Sequence, residues 1–145
     1  MLLLLTVMPG LSQTTSPATG STDTAAFSEN AAHTLLQQVR DGLVAHNERK
    51  MLSAFDAEQM TDYPTFRRQI DALFDTYDSF RVHFTIEQSS GDNERGTATV
   101  DFEIEESPAS SGGQPVRKQE ELRFSFEHAK TGWKILDVDP RSFFS

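Results

Sequence analysis

At 145 residues, with 22 acidic and 13 basic side chains and a formal charge of −9, the chain has room for one domain and repels a phosphate backbone. Its densest basic groups are pairs, Arg49-Lys50, Arg67-Arg68 and Arg117-Lys118, so charge disfavours nucleic acid and anionic membrane surfaces as partners. With no cysteine, disulfides, thiol nucleophiles and thiolate metal sites are excluded.

Leu2-Leu3-Leu4-Leu5-Thr6-Val7-Met8 is an apolar run closed by Pro9-Gly10, shorter than the about 20 residues a spanning helix needs. It fits the hydrophobic region of a secretory signal peptide over residues 1–12, with Gly10 and Ser12 as the small residues before cleavage at Gln13. No Lys or Arg precedes the run, so the peptide is expected to be truncated at its basic end. Residues 13–27, rich in Ser, Thr, Gly and Pro, bury too little apolar surface to order themselves and read as a flexible leader. The expected location is secreted or periplasmic, without a lipid anchor.

The domain is expected over residues 28–145. Ser28 is placed to cap a helix that Glu29 favours through the dipole, and Ala32, Leu35, Leu36, Val39 and Leu43 follow on one face. A short second helix carries Met51, Leu52 and Phe55. Asp62 and Pro64 open a third, whose apolar stripe is Phe66, Ile70, Leu73, Phe74 and Tyr77.

At Ser79 the period changes from 3.6 to 2. Phe80, Val82, Phe84 and Ile86 alternate with polar residues, as do Ala98, Val100, Phe102 and Ile104, and then Leu122, Phe124 and Phe126. The turns are Ser89 to Gly96 and Lys130-Thr131-Gly132, and Ser107 to Pro115 is a long Ser/Gly/Pro loop. The last strand, from Trp133 to Val138, is apolar on both parities, which requires either a central position or a bulge. Helices followed by amphipathic strands define an α+β class, with an antiparallel sheet wet on one face.

The junction Asp75-Thr76-Tyr77-Asp78-Ser79-Phe80-Arg81 and the terminal Gly132-Trp133-Lys134-Ile135-Leu136-Asp137-Val138 together resemble the nuclear-transport-factor-2-like (SnoaL-like) superfamily, in an exported bacterial branch. The resemblance spans Ser28 to Ser145 and rests on packing signatures. It implies a cone: a curved antiparallel sheet wrapped over the helices, a pocket between them, and homodimers through the sheet. Many members carry a strand hairpin between the second and third helices. Only Asp56 to Tyr63 lies there in this chain, which predicts a missing edge or a reduced cone.

Such a pocket would present Phe84, Val100, Phe102, Phe124, Phe126 and Tyr77, of which only Tyr77 ionises. That favours a non-enzymatic protein binding a small apolar ligand or a protein partner, with no cofactor and no metal. No two histidines stand at metal-binding spacing, and no phosphate-binding glycine motif or nucleophile elbow is present. The alternative is an isomerase, dehydratase or cyclase acting on a hydrophobic substrate, with Tyr63, Tyr77, Asp75 or His46 at the pocket mouth. Glu103, Glu105, Glu106, Glu120 and Glu121 read as solvated strand charges, with pairs such as Arg123 and Asp101 across the wet face. Phe143-Phe144 is expected either to close the pocket mouth or to dock on a partner.

Overall fold

A computed structural model describes residues 26–110 and 112–145. The expected signal peptide, and the leader up to residue 25, lie outside the described residues. Phe27, which composition assigned to the leader, is instead 8% exposed in the core. Its N–H donates to Asp92 O at 2.8 Å, and its ring packs on Phe126 and Trp133 at 4.9 and 5.2 Å.

Three helices come first: α1 (Glu29–Val44), α2 (Glu48–Leu52) and α3 (Tyr63–Thr76). Ser28 caps α1 by accepting the Ala31 N–H, and Ala32, Leu35, Leu36, Val39 and Leu43 are all buried. Full burial of each large aliphatic side chain is worth about 1.5–3 kcal/mol, and this face is what fixes α1 to the sheet. Gly42 lets α2 approach: a Cβ there would stand 2.5 Å from the Met51 backbone nitrogen. Asp62, expected to cap α3, does not. It sits in the left-handed region (φ 53°) and makes no capping hydrogen bond, so Pro64 in the first turn is the helix's opening signal.

Four strands follow, β1 (Tyr77–Gly91), β2 (Arg95–Pro108), β3 (Val116–Ala129) and β4 (Gly132–Asp139), then a 3-10 turn, Arg141–Phe144. They form one antiparallel sheet in the order β1-β2-β3-β4. β1 and β2 run on through much of the expected turns. Only Asp92 to Glu94 separates them, with Asp92 accepting the N–H groups of Glu94 and Arg95 at 2.8 and 2.9 Å. Tyr77 is the first strand residue and not the last of the helix.

β4 is an edge strand with a bulge. Ser125 and Phe126 face Asp137 and Ile135, leaving Leu136 without a partner and letting both parities of β4 reach apolar surroundings. Where a second-edge hairpin would stand, residues 54–56 contribute one bridge, Phe55 to Ile135, with Ile135 N–H donating to Ala54 O at 2.8 Å. This is a reduced edge.

On the wet face, Arg123 lies opposite Thr99, not Asp101, and Asp101 lies opposite Glu121. Gln119 relieves that like-charge pair by donating to both Asp101 oxygens at 3.1–3.2 Å, while Arg117 pairs with Glu103. No helix among the described residues is long and apolar enough to cross a membrane.

Candidate functional site

The concave face of the sheet is a continuous aromatic surface. Phe84 stacks on Phe102 at 6.3 Å, Phe102 meets Phe124 at 6.4 Å, and Phe124 stacks on Phe126 at 6.4 Å. Val100, Phe102, Phe124 and Phe126 are at most 1% exposed. The fold therefore brings these expected pocket residues together. Over Phe102, however, lie the rings of Phe143 and Phe144, both edge-on at 5.6 Å and 5.3 Å from each other. The expected mouth residues have folded back into the cone, and the space above Phe102 holds the chain's own side chains. Phe84 is half-buried and lines a surface groove with His33 and Ile86, and Tyr77 stands at the sheet's far end against Phe80.

At that end stands a residue the pattern reading grouped with solvated acids. Glu106 continues the parity Ala98, Val100, Phe102, Ile104 and is buried with them. A buried carboxylate needs compensation. Its charge is met by Lys118 on β3, whose Nζ is 3.0 Å from Glu106 Oε1, while neither carboxylate oxygen has a hydrogen-bond partner among the described residues. The same ammonium donates to Phe143 O at 2.7 Å and Ser145 O at 3.1 Å, and lies 5.3 Å from the Phe143 ring. Lys118 thus ties the buried carboxylate to the segment that fills the cone. Burial, then the negative charge of Glu106, pushes the Tyr77 hydroxyl above its ordinary range. Arg141 secures the other side of the turn through Asp137 at 2.9 Å.

The residues of the enzymatic alternative do not converge. His46, at φ 52°, directs Nε2 at the backbone oxygens of Phe74 and Tyr77 (3.2 and 2.9 Å), tying the α1 end to the α3–β1 junction. Asp75, in the last turn of α3, and Asp78, at the start of β1, are both exposed. Tyr63 lies on the outer surface between α2 and α3. A second acidic pair, Asp56 and Glu127, sits where the α2–α3 connection meets the β3–β4 hairpin. Burial, followed by the neighbouring Asp56 carboxyl, holds Glu127 above the usual carboxylate range, against the pull of Arg95. Among the described residues no three metal-ligating side chains cluster.

A helix-backed antiparallel cone with an aromatic concave face defines the class of fold. Solved structures place it: the chain has the nuclear-transport-factor-2-like fold. It is similar to an NTF2-like superfamily protein from Salmonella enterica serovar Typhimurium, at a TM-score of 0.65 and 10% identity over 76% of this chain and 87% of that one. It is also similar to a hexachlorocyclohexane dehydrochlorinase, at a TM-score of 0.58 and 13% identity over 76% and 81%. A third likeness is to the intermembrane space region of chloroplast protein ARC6, at a TM-score of 0.59 and 12% identity over 78% and 95%. No family model and no curated protein sequence matches the chain. The fold is shared by an enzyme and by proteins whose names state no reaction, so it does not by itself assign chemistry.

Proposed function

We propose that this is an exported, non-catalytic domain that works by binding a protein partner on its outer surface. The observation that carries this reading is the seating of Phe143 and Phe144 over Phe102, which gives to the protein's own aromatic rings the volume a small apolar ligand would need. Both Phe side chains are buried, at 4% and 0% exposure. The test is a titration of the full chain with 1-anilinonaphthalene-8-sulfonate under native conditions. No stoichiometric binding is expected. One-to-one binding that is abolished by Phe102→Trp overturns the reading in favour of a ligand-binding cone. Export is tested by sequencing the N-terminus of the mature protein, which should begin at Gln13.

The alternative, an isomerase, dehydratase or cyclase of a hydrophobic substrate, has one observation in its favour: Glu106, buried beside Tyr77 at the inner end of the aromatic face. It requires the 3-10 turn to leave, and predicts that Phe143→Ala/Phe144→Ala raises turnover of a hydrophobic substrate while Glu106→Gln abolishes it.

A further inference from the structure

One member from each of two basic pairs in the sequence lines the same cleft. Arg49 of α2 and Arg67 of α3, 18 positions apart in the chain, both line a cleft of about 620 Å³ on the outer surface, and Lys134 of β4 joins them. The cleft's acids are Glu48 and Asp71, so its lining is net positive by one charge on a protein of −9. Arg49 and Arg67 are both exposed, and neither stands within ion-pair distance of a carboxylate among the described residues. Lys134 donates to Ser53 O at 2.7 Å, which holds its ammonium at the rim.

Between these cations the cleft is apolar. Phe55 forms the buried base, against Phe66 at 4.9 Å, and Leu52 and Tyr63 are half-exposed walls. A half-exposed aromatic beside free guanidinium groups is the composition that concentrates binding energy in protein interfaces. Apart from Phe55, every residue lining the cleft is at least partly exposed. A small molecule there would stay largely wet, whereas ligand sites enclose roughly 70–90% of their ligand. An occupant has to bring its own cover, which a protein segment does.

We infer that the cleft between α2 and α3 is the docking surface for an acidic segment of a protein partner, anchored by an apolar side chain over Phe55 and Leu52. Carboxylates of the segment meet Arg49 and Arg67, and the anchor is shielded by the segment's own backbone. At physiological salt the screening length is about 8 Å, so Arg49 and Arg67 act on a carboxylate brought directly against them, while Asp56 and Glu58, which flank Ala57, bound the cleft on its hairpin side. This inference rests on the partner-binding reading and names the surface and the partner's chemistry.

The test is fluorescence anisotropy of the full chain with a short fluorescein-labelled peptide alternating Glu with Leu and Phe, beside the same peptide with Lys for Glu. The acidic peptide should bind and the basic one should not. R49E/R67E should weaken binding by at least about tenfold, the charge-neutral R49Q/R67Q by less, and R123E on the opposite sheet face should leave it unchanged. Thermal unfolding of each variant confirms that these exposed changes leave the fold intact. Failure of the acidic peptide to bind overturns the inference. So does binding that R49E/R67E leaves unchanged but R123E weakens, although the partner-binding reading then survives on another face. Equal, Arg49-dependent binding of benzoate alone would make the cleft a small-anion site and overturn the assignment to a protein segment.

Discussion

Replacing Phe144 by alanine removes a fully buried ring from the middle of the cone. The lost transfer free energy of a large apolar side chain is about 1.5–3 kcal/mol. Phe144 also makes edge-on contacts with Phe102 at 5.6 Å and Phe143 at 5.3 Å, and aromatic pairs of this kind contribute roughly 0.5–1.5 kcal/mol beyond area. The four-residue 3-10 turn that carries it can partly collapse into the void, so the total should fall at about 3–4 kcal/mol, the lower half of the range for Phe→Ala. Against a domain stability of about 5–15 kcal/mol the variant should remain folded and measurable. Urea unfolding followed by Trp133 fluorescence is the assay, with the slope unchanged and the midpoint lowered. A loss below about 1 kcal/mol, the range of surface substitutions, would mean that Phe144 does not occupy the cone in solution. The cone would then be open to a ligand.

Three further outcomes follow from the same contacts. Lys118→Met leaves Glu106 buried without its cation and should cost about 3 kcal/mol by urea unfolding. The double change Glu106→Leu/Lys118→Met should recover most of that loss, and an additive double variant would show that the pair is not coupled. For Glu127, the raised folded-state pKa means that its favourable contribution is present below the usual carboxylate range and is lost as pH rises through the folded value. Glu127→Gln should therefore melt above wild type at neutral pH, with the difference vanishing in acid. A difference independent of pH contradicts the assigned cause. Gly96→Ala places a Cβ 2.2–2.5 Å from the Phe27 ring atoms, so Phe27 must shift from its contact with Trp133. A red-shifted Trp133 emission and a stability loss of roughly 2 kcal/mol are expected, and an unchanged spectrum would place Phe27 elsewhere.

Much of the fold was legible because periodicity reports burial directly. The α1 stripe and the alternating strands carry their apolar residues on the faces the structure buries. Ser28 caps as its side chain predicts, whereas Asp62, whose backbone is in the left-handed region and not the extended conformation of a capping residue, makes no capping hydrogen bond. The double apolar parity of Trp133 to Val138 was resolved by the unpaired Leu136, a bulge that alternation alone could not distinguish from a central strand. Glu106 stands at the end of four successive apolar positions at a spacing of two, a parity that marks it as inward-facing although its neighbours Glu103, Glu105, Glu120 and Glu121 are acids too. The destination of Phe143 and Phe144, and the meeting of Arg49 with Arg67 and Lys134, depend on tertiary packing and leave no periodic trace.

The most direct test of the central claim, that the cone is filled by its own C-terminal aromatics and works from its outside, is native mass spectrometry of the protein purified from its own envelope or medium. The account predicts the bare polypeptide mass from Gln13 onward, alone or in complexes whose added mass is protein. A stoichiometric apolar small molecule that stays bound to the wild-type chain and is lost on Phe102→Trp would contradict it.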